Sequence, residues 1–410
     1  MNGRWAVWVL LAGLGVSVLG DQVYLVALNV WVLARTHSAV AVAGLWMAPP
    51  LAGVLVGSWM GSLADRWDRR FSLVVANLVS AGFIGCIPLL HPVVLIYAAI
   101  FLVATANGLF TAALASYVKL LVPRSDWARV SAVRGLLAYG ALVLGPALAG
   151  LLLIHGKPGT AIWLDAATFL VSAASLAILP RLNPDTAGAE GVGPGTNRWV
   201  DDLRLVRRFL GTHRVVLGVM AGFSAIVIFG SAADAQEVVF ARTALRLSQS
   251  GYGYLVSMAG IGYVAGALLS YVLGPRLSVR VALGTGVVLS AASYLFYARS
   301  ITFAEAALAL VLLGVFQSVA NVGLSVYLQE SLPTAAMGRI LGTTQAGQNG
   351  LIVMAILAGG FLAHAGGVRL MMTVTSLIAV AGGLWLTALC LGPGAATRFV
   401  SPEAEHRASS

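Results

Sequence analysis

Apolar residues run along this chain in long blocks separated by short polar segments. The blocks fall at about 5–34, 39–63, 71–90, 93–118, 128–154 and 161–180, then at 214–238, 250–273, 280–298, 302–328, 339–363 and 367–391. Each is long enough to cross a hydrocarbon core, which takes roughly 20 residues of helix. The pattern predicts an all-α membrane protein of twelve transmembrane helices in two six-helix halves, residues 1–180 and 214–391. A polar linker, 181–213, carries Pro184, Pro194 and mixed charges between them. The short polar tail, 392–410, is expected to be disordered and cytosolic.

Composition agrees with the pattern. The 410 residues are 59% hydrophobic and 10% charged, a balance that would leave a large apolar excess facing water in a soluble domain. Forty-seven glycines suit helices packed closely inside a bilayer. The net charge of +10 comes from Lys and Arg scattered through short segments, which reads as topology signals and lipid contacts rather than nucleic-acid binding. With the N-terminus inside, nineteen basic residues fall on inner segments and six on outer ones. That asymmetry places both termini in the cytosol of a bacterial-type plasma (inner) membrane. Arg4 and the apolar run after it read as a retained first span, because no small-residue cleavage site stands out. Cys86 and Cys390 both sit in apolar runs, so neither a disulfide framework nor a cysteine metal site is indicated.

An internal repeat relates the halves. Val122-Pro123 and Arg129 match Leu332-Pro333 and Arg339, each 210 positions later, and the same offset carries Gly140, Gly150 and Asn107 to Gly350, Gly360 and Gln317. Six spans per half give the halves a parallel orientation, related by an axis along the membrane normal. In the linker, Trp199, Leu203, Val206 and Leu210 recur at helical spacing among Asp and Arg. That pattern fits an amphipathic helix on the inner leaflet and an ordinary solvated connector equally well.

The segment Gly61-Ser-Leu-Ala-Asp65-Arg66-Trp-Asp-Arg69-Arg70 joins the second and third spans. Gly61 would permit close helix contact, and Asp65 at a helix end would pair with cations or a helix N-terminus. The motif resembles the loop signature of the major facilitator superfamily, with Asp68 in place of the usual glycine. The second-half loop, Gly274 to Arg280, lacks the acid. Gly20-Asp21-Gln-Val-Tyr24, Gly145-Pro146-Ala-Leu-Ala-Gly150 and Asp165-Ala-Ala-Thr-Phe169 resemble the branch of enterobactin-type siderophore exporters and macrolide efflux pumps. That resemblance implies the two-half major facilitator fold and efflux of drugs, macrolides or siderophores, with multidrug resistance as its outcome. Gly61, Asp65, Arg66, Arg69 and Arg70 would then latch one conformation. Gly145, Pro146 and Gly150 would thin and bend a helix as a gate or packing face. The arginine-led fourth-span motif of drug–proton antiporters is not evident at Thr105-Ala-Asn107-Gly108.

Asp21 is the candidate proton or cation site. It lies well inside the first span, where a carboxylate is costly unless paired, hydrated or protonated. Asp234 and Glu237, three apart on the seventh span, suggest an outer gate or an interfacial cluster, with Arg242 and Arg246 near enough in sequence to neutralise them. Asp165 reads as a helix cap. Arg134 would either snorkel to the cytosol or pair with an acid. Tyr24, the symmetric pairs Asn107/Thr111 and Gln317/Asn321, and the cluster Gln345, Gln348 and Asn349 are candidates for cavity lining or interhelical hydrogen bonds.

No phosphate-binding loop and no His-Glu-x-x-His occurs, so neither an ATPase nor a metalloenzyme is expected, and no cofactor or metal is called for. The expected partners are a small-molecule substrate, protons and membrane lipids, with no nucleic acid; a monomer suffices. The leading expectation is a secondary active exporter of a hydrophobic or amphiphilic molecule by proton antiport, through alternating access. The alternatives are a cation-coupled importer of the same fold and a non-transporting receptor or assembly subunit.

Overall fold

The structure is a computed structural model that describes residues 4–123, 126–155, 157–181, 198–273, 278–332 and 337–391. The expected tail and most of the linker lie outside these residues. The first repeat comprises α1 (Arg4–Thr36), α2 (Ala39–Leu55), α3 (Gly57–Arg66), α4 (Arg69–Cys86), α5 (Val93–Leu121), α6 (Trp127–His155) and α7 (Pro158–Ala177). After α8 (Arg198–Thr212) and α9 (Arg214–Asp234), a single turn, α10 (Glu237–Val239), leads into a wider π turn at Phe240–Ala244. The chain continues as α11 (Gln249–Leu273), α12 (Val279–Arg299), α13 (Phe303–Ser331), α14 (Met337–Gly366) and α15 (Val368–Leu391).

Among the described residues, eleven helices are long and apolar enough to cross a membrane. The second expected span is divided: Val56 leaves the helix at φ −125° and ψ −7°, separating α2 from α3. Pro49 and Pro50 lie inside α2 and deprive its last turns of two N–H donors. Large apolar side chains such as Val94, Leu136 and Leu170 point outward, as a lipid-facing surface requires.

The repeat seen in six sequence positions extends through the fold. Equivalent helices begin at Arg4 and Arg214, Ala39 and Gln249, Arg69 and Val279, Val93 and Phe303, Trp127 and Met337, and Pro158 and Val368, always 210 positions apart. Their caps repeat too. Ser38 accepts a hydrogen bond from the Ala41 N–H at 3.2 Å, and its equivalent Ser248 accepts from Gly251 at 3.0 Å. Asp68 accepts from Phe71 at 2.8 Å, and its equivalent Ser278 accepts from Val281 at 3.4 Å. Asp68 therefore departs from the loop signature for a local reason: it supplies the N-cap of α4. Val122 and Leu332 end α5 and α13 with the same extended cap, each donating its N–H to the carbonyl four residues back at 3.0 Å.

By internal contacts the chain divides into two compact units: 1–193 with 241–257, and 194–240 with 258–410. In unit 1, α1 packs chiefly on α7 and α6, while α4 packs on α5 and α7. Leu10, Leu73, Ala113, Tyr117 and Leu176 form part of its core, and the Tyr117 hydroxyl donates to the Pro180 carbonyl at 2.9 Å. In unit 2, α12 packs between α13 and α15, and α9 lies against α15 and α14. Glycine permits the close approach of α12 to α13: a Cβ at Gly286 would come within 2.9 Å of the Ala320 N, and one at Gly323 within 2.9 Å of the Leu283 N.

The amphipathic linker helix differs from both expectations for it. In α8, Val206, Phe209 and Leu210 pack against the core of unit 2, so protein rather than lipid or water covers this face. Arg204, Arg207 and Arg208 remain on the exposed side. The side chains of Trp199 and Leu203 lie outside the described residues.

Candidate functional site

Unit 1 carries an open cavity of about 510 Å³. It is lined by Ser17 and Asp21 of α1, Asn77 and Ser80 of α4, Asn107 and Thr111 of α5, and Ser131 and Arg134 of α6. The first repeat thus brings together Asp21, Asn107 and Thr111, residues far apart in sequence. Arg134 faces the same cavity as Asp21, though the two make no ion pair. Asn77, a residue that sequence reasoning missed, donates its Nδ2 to the Leu73 carbonyl at 2.9 Å.

Beside this cavity lies a second carboxyl. Asp165 is fully buried; its Oδ1 accepts from the Thr168 hydroxyl at 3.1 Å, while its Oδ2 has no hydrogen-bond partner. A Cβ at Gly20 would collide with Asp165 Oδ1 and Thr168 Oγ1, so the glycine preceding Asp21 is what lets α1 approach α7 here. The charge of Asp21 acts directly on Asp165, and both act on Tyr24, whose buried hydroxyl lacks a hydrogen-bond partner. The expectation that Asp165 caps a helix is overturned. Helix α7 begins at Pro158 with Lys157 as its N-cap, which puts Asp165 two turns inside. Proline at the first helical position was the signal that would have placed it.

Unit 2 carries a smaller open cavity, about 210 Å³. Its lining includes Ser231 and Asp234 of α9, Tyr263 of α11, Ser290 and Tyr294 of α12, Gln317 of α13 and Thr375 of α15. The two cavities occupy equivalent places in the repeat: Asp21 corresponds to Ser231, Ser80 to Ser290 and Asn107 to Gln317, each pair lining its own cavity. Asp234 corresponds to Tyr24, one helical turn beyond Ser231. Its Oδ1 accepts from the Tyr294 hydroxyl at 2.7 Å. Asp234 therefore faces a cavity rather than an outer arginine; Arg242 Nη1 donates instead to the Leu247 carbonyl. Glu237 follows in α10 and does not line the cavity.

The remaining candidates scatter. Asn321 is exposed and lines neither cavity. Gln345 Nε2 donates to Asn349 Oδ1 at 3.1 Å within α14, and Ser224 donates to Gln348 Oε1 at 3.4 Å, which makes this cluster a set of helix and interhelix bonds. A Cβ at Gly61 would meet nothing within 4 Å, so the close helix contact expected there is absent. Arg66 is exposed, Arg69 and Arg70 are half-buried, and the side chain of Asp65 lies outside the described residues. Gly145, Pro146 and Gly150 lie at close contacts within unit 1. A Cβ at Gly145 would collide with Gln22 of α1, and one at Gly253 would reach the Pro146 carbonyl at 2.6 Å and the Gly150 N at 2.8 Å.

The family model of the Major Facilitator Superfamily matches residues 10–240 and 235–409. The uncharacterised MFS-type transporter YfiS of Bacillus subtilis (strain 168) is 23% identical over 387 residues, covering 92% of this chain and 91% of YfiS. Among solved structures, a bacterial homologue of the human lysosomal transporter Spinster, inward-facing and unoccupied, superposes with a TM-score of 0.74 at 16% identity, covering 98% of this chain and 99% of that one. The D-xylose-proton symporter gives a TM-score of 0.68 at 17% identity, covering 94% and 97%. At such identities these structures establish the fold alone. With family models spanning both repeats of a many-spanned helical chain, the protein belongs to the Major Facilitator Superfamily and is a multi-pass membrane transporter rather than an enzyme.

Proposed function

We propose that this transporter exports a hydrophobic or amphiphilic small molecule, of the drug, macrolide or siderophore class, in exchange for protons. The observation that carries the coupling is the acidic pair of unit 1. Asp21 opens onto the large cavity, and Asp165 lies behind it with an oxygen that has no hydrogen-bond partner. Two carboxylates side by side repel, and an unsatisfied buried oxygen is costly. A proton arriving from the cavity relieves both, and its departure restores them. Loading and unloading of this site would accompany alternating access of the kind that two-repeat transporters use.

Apolar side chains such as Leu14, Phe110 and Phe169 among the lining of the unit 1 cavity favour amphiphilic cargo over sugars or phosphates. The resemblance to siderophore and macrolide exporters supports export as the direction. The test is accumulation of ethidium, erythromycin and a catecholate siderophore in bacterial cells stripped of their own pumps. Expression should lower accumulation of at least one of them, and Asp21→Asn should restore it. Equal accumulation with and without expression would contradict export. Uptake driven by an inward proton gradient in liposomes would reassign the same acidic pair to symport.

A further inference from the structure

The cavity of unit 2 has a chemistry that the coupling site does not use. Its lining carries one carboxyl, Asp234, and among the described lining residues no Lys or Arg. Four of its hydroxyls donate to carbonyls of their own helices. Ser231 donates to the Val227 carbonyl at 2.7 Å, Ser290 to Val287 at 2.9 Å, Thr375 to Met371 at 3.0 Å and Ser376 to Met372 at 2.6 Å. The Tyr294 hydroxyl donates to Asp234. What these five oxygens can still offer an occupant is lone pairs, so acceptors surround Asp234 on this wall, with the Gln317 amide as a donor beside them. Phe229 and Tyr263 add aromatic surface to the same wall. A carboxylate, acceptor oxygens and aromatic rings around one space are the complement of a positively charged donor. At about 210 Å³ the space is far larger than one water or one bare ion needs.

We propose that the cavity of unit 2 receives the ammonium group of a small organic cation or of a larger cationic cargo, with Asp234 as its counter-ion. The equivalent cavity of unit 1 is unsuited to this role, because Arg134 faces it. The inference names a cargo class within the export reading and relies on that reading only for its physiological meaning. Binding itself requires neither a gradient nor transport.

The test is calorimetric titration of the full-length protein in lipid nanodiscs, in potassium buffer near neutral pH. The probes are phenethylammonium and 2-phenylethanol, which has nearly the same shape without the charge. The ammonium should bind at least tenfold more tightly than the alcohol. Asp234→Asn should abolish that preference, and Ser290→Val, which narrows the cavity and keeps the carboxylate, should weaken the amine severalfold. The preference within the unaltered protein stands even if a variant fails to fold. Equal binding of amine and alcohol, or an unchanged preference in Asp234→Asn, would overturn the proposal. Displacement of the amine by sodium at constant ionic strength would overturn it in favour of an alkali-ion site. Amine binding without any gradient-driven flux would count against the export reading alone.

Discussion

The two repeats share their helix starts, their caps and the position of a polar cavity, yet the cavities differ in chemistry. In unit 1 the acid at the shared α1/α9 position is Asp21, backed by Asp165 and faced by Arg134. In unit 2 the equivalent positions hold Ser231 and Thr375, and the acid has moved one turn along, to Asp234, where Tyr294 clamps it. A paired acid facing a cation is arranged to exchange a proton. A single acid among aromatic rings and acceptor oxygens is arranged to hold a cation. One scaffold recurs in both units, and a few lining positions give its two cavities different chemistry.

The largest effect expected is on the first cavity. Asp21→Asn should reduce flux driven by a pH gradient in proteoliposomes by tenfold or more, because the neutral amide cannot carry the proton. Asp165→Asn should cut flux severalfold and alter its pH profile, and an unchanged profile would remove Asp165 from the coupling site. Asp234→Asn should sharpen the contrast between the units: affinity for cationic dyes falls about tenfold, roughly 1.4 kcal/mol, while the residual flux still follows the gradient. Gly20→Val should wedge α1 away from Asp165 and lower the unfolding midpoint, since overpacking of this kind costs about 1–3 kcal/mol. The smallest effects belong to the shared caps. Asp68→Ala and Ser278→Ala should each cost about 1 kcal/mol. Asp68 should cost the more, because its bond is 2.8 Å against 3.4 Å. Equal losses in thermal unfolding would make the difference between the caps irrelevant.

The spans were legible because hydropathy alone sets them, and the repeat because a loop proline and arginine and two helical glycines recur at one offset in both halves. The break at Val56 was not legible. The apolar run continues through it, and only the paired prolines Pro49 and Pro50 hint at a weakened helix. Asp21 could be singled out because an acid inside a span is rare and expensive. Its partner Asp165 was misread because the apolar run was taken to begin at 161, past the proline that starts the helix. Asp234 was recognised as unusual but assigned to sequence-near arginines. The chain instead turns its side chain toward Tyr294, 60 residues away, a contact that only packing decides. The linker pattern could not say that Val206, Phe209 and Leu210 meet the protein's own core.

The central claim is that Asp21 and Asp165 exchange a proton for cargo. The most direct measurement is cargo-induced proton release, read with a pH indicator after erythromycin or ethidium is added to the purified protein in weakly buffered detergent solution. The account predicts release by the unaltered protein and none by Asp21→Asn. Equal release from both, or none from the unaltered protein on binding a cargo it transports, would contradict it.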